Sequence, residues 1–115
     1  MEAVQRWDRS LRDADWRRAR AMLADDATYT APDFEGAVDC DSPDSIIAFL
    51  SSIKGEMPDV LVVEWEQEGH RVIARLRQPA FGDDSDWYQV IEVRNEKIAR
   101  MADFPSREAA LAATS

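Results

Sequence analysis

One cysteine, one histidine and four glycines leave little room for several common chemistries in these 115 residues. Cys40 has no second cysteine to pair with, so no internal disulfide can form. Its neighbours Asp39 and Asp41 disfavour a thiolate, which argues against a nucleophile. With His70 and Cys40 the lone members of their kinds, a zinc site has too few ligands. The acidic runs Asp39-Cys40-Asp41 and Asp83-Asp84-Ser85-Asp86 lack the glycine and closing glutamate of an EF-hand loop. No metal is therefore expected. A glycine-rich phosphate loop, a Gly-x-Ser-x-Gly elbow and a dinucleotide fingerprint are all missing, so no cofactor is expected either. No apolar stretch approaches the roughly 18 residues of a membrane span. The start, Met-Glu-Ala-Val-Gln-Arg-Trp, lacks the apolar run of a secretory signal. A reducing cytoplasm is the expected compartment. Basic residues are also scarce, 14 against 23 acidic, and the net charge of −9 speaks against nucleic acid and anionic membrane as partners.

The residues that are present read as one domain over 1–115, large enough to bury about two-thirds of its unfolded-chain surface. Ala3, Val4, Trp7, Leu11 and Ala14 make one stripe of a first helix. Asp15 can cap a second helix carrying Trp16, Ala19, Met22 and Leu23. The stretch Leu23–Gly36 organises the rest. It reads as a helix tail that breaks at Asp25-Asp26, then a short strand Ala27–Ala31 stopped by Pro32. Ser42 with Pro43 signals the start of a third helix, whose apolar face is Ile46, Ile47, Phe49, Leu50 and Ile53, with Gly55 just past its end.

From Val60 the period changes to two. Leu61, Val63 and Trp65 share one face, and Val60, Val62, Glu64 and Glu66 the other. A turn at Glu68-Gly69 would set Trp65 opposite Val72 and Leu61 opposite Leu76, with Glu66 meeting Arg71 outside. After an acidic loop at Phe81–Ser85, a second hairpin joins Trp87–Val93 to Lys97–Phe104 around Asn95, with a turn of two residues or three. Ser106 can cap a short last helix through Leu111. The order of elements is α+β, with the helices expected on one face of a mostly antiparallel sheet.

The element order resembles the nuclear transport factor 2-like superfamily, especially its SnoaL-like branch of polyketide cyclase and ketosteroid isomerase relatives. The resemblance rests on Val4-Gln5-Arg6-Trp7, Leu23-Ala24-Asp25-Asp26-Ala27-Thr28 and Ile98-Ala99-Arg100-Met101-Ala102-Asp103-Phe104. It implies a cone-shaped curved sheet wrapped around three N-terminal helices, a short C-terminal helix, a ligand pocket at the wide end and frequent homodimers. It implies no single activity, because this fold hosts several chemistries.

Where ketosteroid isomerases carry the general-base aspartate, this chain has Ala31. Trp7 stands in place of their tyrosine, and Gln89 in place of their protonated aspartate. Alanine cannot take a proton and an indole can only donate, so steroid isomerisation by that mechanism is not expected. Epoxide hydrolases and cyclases of the fold place an aspartate on the last strand, which Asp103 matches, although Ala102 replaces the hydrolase arginine.

Asp103 is therefore the candidate general acid or base, with a structural cap or strand hydrogen bond as the plainer reading. Trp7, Tyr29, Gln89, Met101 and Trp87 are the candidate ligand-lining residues. A three-residue turn would set Asp103 opposite Trp87; a two-residue turn would set it opposite Tyr88. The expected function is a small-molecule pocket, either a cofactor-free isomerase, cyclase or hydrolase acting on a small apolar oxygenated ligand, or a non-catalytic binding or dimerisation module. The outer sheet face, with Val60, Val62, Ile73 and Val90, is the expected dimer surface.

Overall fold

The computed structural model describes residues 2–31, 38–56, 60–78 and 86–114. Pro32–Gly36 of the organising stretch, the Phe81–Ser85 loop and most of the second acidic run lie outside them. The chain runs α1 (Glu2–Arg12), α2 (Trp16–Ala21), β1 (Leu23–Ala31), β2 (Val38–Cys40), α3 (Pro43–Glu56), β3 (Leu61–Glu68), β4 (Arg71–Arg77), β5 (Trp87–Arg94), β6 (Lys97–Phe104) and α4 (Arg107–Thr114). Six strands form one curved sheet in the order β2-β1-β6-β5-β4-β3. All neighbours are antiparallel except β1 and β6. No helix of the described residues is long and apolar enough to cross a membrane.

Local chemistry accounts for the helix ends. The stripe on α1 buries Ala3, Val4 and Trp7, with Ser10 in the next turn donating to the Arg6 carbonyl. Ala14 takes a positive φ and breaks the helix, and the Asp15 carboxylate then accepts from the Arg18 amide to start α2. At α3, Ser42 Oγ accepts from the Ser45 amide while Ser45 Oγ accepts from the Ser42 amide, a reciprocal cap. The helix runs through Gly55 to Glu56 rather than stopping before the glycine.

Three expectations about strands change. Leu23–Asp26 belongs to β1, not to a helix tail: the pairing of β1 with β6 is irregular between Leu23 and Thr28, and exposed Asp25 and Asp26 fall in that interval. The β3–β4 turn is Gly69-His70, with Gly69 at φ 63°, so Trp65 faces Ala74 and Gln67 faces Val72. A register shift between Val62 and Glu64 then places Val62 opposite Leu76 and turns Leu61 outward beside Arg77, leaving Leu61 and Val63 exposed. Glu66 meets Ile73, not Arg71. The three-residue β2 is too short for its alternation to show in sequence; it pairs Cys40 with Tyr29.

The core divides by sheet face. On the inner face Val4, Trp7, Ala19, Leu23, Ile46, Val72, Ile91, Ile98 and Met101 pack together beneath α1, α2 and α3. On the outer face Ile73, Val90, Ala102 and Phe104 pack with Ala110 of α4. The helices are thus not all on one side. Ile73 and Val90, expected as an exposed apolar surface, are buried at 3% and 6% exposure in the cluster that α4 completes. Arg107 anchors α4 to Glu66 at 2.6 Å.

Trp7 is 2% exposed at the centre of the inner cluster. Trp7→Ala should lower unfolding free energy by about 3–5 kcal/mol, as for other buried aromatics. Urea denaturation checks this, and a cost near zero would mean Trp7 is not the wedge its burial implies.

Candidate functional site

The site is built where β1, β5 and β6 lie side by side. A two-residue turn, Asn95-Glu96, closes the last hairpin with both residues at positive φ, the pattern whose twist suits paired strands. A register shift then falls between Glu92 and Val93, where Val93 pairs with Ile98 but Glu92 pairs with Arg100. Ala99 is the extra residue. The bulge turns Ile98 inward, fully buried, and keeps Met101 and Asp103 on the same inner face. It also places Asp103 opposite Gln89, correcting both sequence alternatives, Trp87 and Tyr88.

Asp103 is 8% exposed. The parallel pairing of Tyr29 with Met101 brings the tyrosine within reach, and its hydroxyl donates to Asp103 Oδ2. Gln89 Nε2 donates to Asp103 Oδ1 at 2.9 Å and reaches the Tyr29 oxygen at 3.4 Å. The amide orientation follows from the carboxylate, since Oε1 turned toward it would repel. No lysine or arginine among the described residues forms an ion pair with Asp103.

Burial moves the two acids of this cluster in the same direction. Desolvation pushes the Asp103 carboxyl up to about 6, and the hydrogen bonds from Tyr29 and Gln89 restrain the rise. Tyr29 is held well above its ordinary value, first by desolvation and then by the adjacent Asp103 charge. At neutral pH the arrangement is a carboxylate, a neutral phenol and an amide. Such a carboxylate can accept a proton near physiological pH.

The other candidates fall into two groups. Trp7 and Met101 are core residues, 2% and 1% exposed. Trp87 is half-buried opposite Leu76, two pairs along β5 from Gln89. The ring of Phe49, from α3, meets Tyr29 edge-on with centroids 5.6 Å apart. Phe49 was legible only as part of an apolar helix face. Cys40, opposite Tyr29, is buried and its thiol is pushed up, chiefly by desolvation. His70 is exposed at the β3–β4 turn.

A pH dependence follows from the Asp103 shift. Below about pH 4 the group is neutral in folded and unfolded chains alike, and its full stability contribution is present. As pH rises through about 6, the unfolded chain has already released the proton that the folded chain still holds. Stability should therefore fall across that window, by at most about 3 kcal/mol for a shift of this size. Asp103→Asn should flatten this part of the curve, and thermal melts of both proteins across the window check it. Tyr29→Phe should move the Asp103 carboxyl higher still, because it removes a donor that favours the charged form; carbon NMR titration reads this directly.

Comparison with known proteins agrees with the architecture. The chain is similar to a protein classed as a polyketide cyclase from Sinorhizobium meliloti, at 15% identity and TM-score 0.73, covering 90% of this chain and 94% of that one. It is similar to a protein classed as a ketosteroid isomerase from Kribbella flavida, at 20% identity and TM-score 0.69, covering 92% and 76%. An NTF-2 like protein of unknown function from Burkholderia xenovorans matches at 18% identity and TM-score 0.71, over 91% and 80%. These likenesses show the fold. A search of curated proteins finds no match. The SnoaL-like domain family model matches residues 4–101, from the first helix to the strand that carries the buried carboxylate, and the chain belongs to the SnoaL-like domain family.

Proposed function

We propose that this chain holds a small, mainly apolar molecule against the Tyr29–Asp103–Gln89 cluster. In this reading Asp103 moves a proton in a cofactor-free isomerisation, cyclisation or hydrolytic ring opening. One observation carries the proposal: a buried carboxylate, ionising near 6, with no cation beside it among the described residues and two designated donors. A group placed only to cap a helix or bridge strands would not be expected to combine burial with so poised a proton affinity.

Under this reading the ionised carboxylate takes a proton from the ligand above about pH 6. Tyr29 and Gln89 then act as positioning residues that hold the carboxylate and set its basicity. A second reading, a binding module without turnover, draws support from the same geometry. Both donor side chains are turned onto Asp103, so neither is left over to stabilise an oxyanion on a ligand.

A homodimer through the outer sheet face belongs to the proposal as well. Its surface is smaller than the sequence suggests, because Ile73 and Val90 lie in the cluster with α4. Light scattering at micromolar concentration tests it. A cytoplasmic location is proposed on the single free thiol of Cys40.

Asp103→Asn keeps the shape of the side chain and removes its proton chemistry. With a turned-over substrate, the variant should lose about 10²-fold or more in rate while remaining folded, and the rate of the parent should fall as pH drops through about 6. A variant that keeps full turnover would end the catalytic reading. One that loses stability without any change in ligand binding would reduce Asp103 to a structural role.

A further inference from the structure

We infer that the ligand of this cluster is a cation with N–H donors, a small protonated amine with an apolar body, and not an anion or a neutral carbonyl compound. The inference rests on the proposed binding role of the cluster and holds with or without turnover.

With Asp103 ionised, the cluster's side chains carry three polar hydrogens. The Tyr29 hydroxyl has one, and it goes to Asp103 Oδ2. The Gln89 amide has two, directed at Asp103 Oδ1 and the Tyr29 oxygen. Ionised Asp103 has none. Every donor of the cluster is therefore spent inside it, and what faces a ligand is acceptor alone: carboxylate lone pairs and Gln89 Oε1. No hydrogen bond among the described residues reaches that Oε1. Yet no described side-chain nitrogen or oxygen is both sealed from solvent and without a partner, so Oε1 remains reachable. A carbonyl or carboxylate ligand would set lone pairs against lone pairs. A donor-bearing ligand satisfies them.

Charge selects among donors. Asp103 has no cationic partner among the described residues, so its negative charge is balanced only by dipoles. An ammonium would supply the missing counter-charge through a charge-assisted hydrogen bond. The surroundings suit an alkylammonium in particular, because the aromatic rings of Tyr29 and Phe49 meet beside the carboxylate and half-buried Trp87 stands two residues along β5 from Gln89, on the same face of the strand. The other titratable groups facing the cluster, Tyr29 and Cys40, both have raised pKa values and stay neutral at physiological pH. Among the described residues, only Asp103 changes the charge presented to a ligand there.

The experiment is an NMR titration of the whole chain, following the Asp103 carboxyl carbon and the Gln89 side-chain amide. The probes are butylammonium, butan-1-ol and butyrate, matched in body and different in charge. At about pH 8, where Asp103 is ionised, butylammonium should bind at least about ten-fold more tightly than the alcohol, and butyrate should not bind. The preference should collapse in the parent protein at about pH 5, where Asp103 is protonated while the amine keeps its charge. Asp103→Asn should abolish it at both pH values. The pH comparison needs no variant to fold. Equal or tighter binding of butan-1-ol or butyrate at the higher pH would overturn the inference and leave ligand binding at this cluster intact. If none of the probes moves either resonance, both the inference and the binding role fall.

Discussion

Asp103 stays under the helices because two neighbouring strands each bring one donor to it, and strand register decides whether those donors arrive. Side chains alternate faces along a strand, so an offset of one residue would turn the carboxylate toward α4 and solvent. The extra residue at Ala99 sets the offset. It lets the tight turn at Asn95-Glu96 coexist with Gln89 standing opposite Asp103. The parallel pairing of β1 with β6 does the rest by holding Tyr29 beside Met101, two residues from Asp103. The outer face depends on the same parity, since Ala102 and Phe104 flank Asp103 in sequence and anchor α4 on the other side.

That dependence explains what could be read from the chain and what could not. The helices were legible because their signals are local: the stripe through Val4 and Trp7, the Asp15 cap, the Ser42-Pro43 start. So were the alternation of Val72, Ala74 and Leu76 and the inward placement of Tyr29 and Asp103. Gln89 as a partner of Asp103 or Tyr29 was also accessible, since a buried amide must find one. The registers were not. Bulges at Val63 and Ala99 answer to twist and to packing on both faces of the sheet, and no composition marks them. The turn at Gly69-His70 differs from the expected Glu68-Gly69 by one position, which leaves the faces of Trp65 and Val72 unchanged while altering every pair. α4 was visible as a helix, but its seat on the outer face was not, because a short alanine-rich segment does not say which surface it covers.

The cluster separates two jobs that one carboxylate can do in this fold. A base that works beside an oxyanion hole needs donors aimed at the ligand, apart from any that hold the base itself. Here the donors hold the base. Ala31 and Trp7, at the positions that resemblance gives to a general base and a donor, supply neither: one has no polar atom, and the other is packed into the core. The chemistry of the site is concentrated on β1, β5 and β6 alone.

Protonation changes what that concentrated site offers. With Asp103 ionised, the two donor side chains are drawn to it and the cluster presents acceptors and one negative charge. Once the carboxyl takes a proton, one of its oxygens becomes a donor and its pull on the Tyr29 hydroxyl weakens, because a neutral acid accepts less strongly than a carboxylate. The hydroxyl and the amide are then available to an acceptor on the ligand. A cluster that takes up a proton thereby gains the ability to donate as well as to accept. The pKa near 6 places the change between the two states within reach of ordinary solution conditions. The same three side chains can in this way offer a negative charge and acceptors above the transition and donors below it, with no fourth residue required.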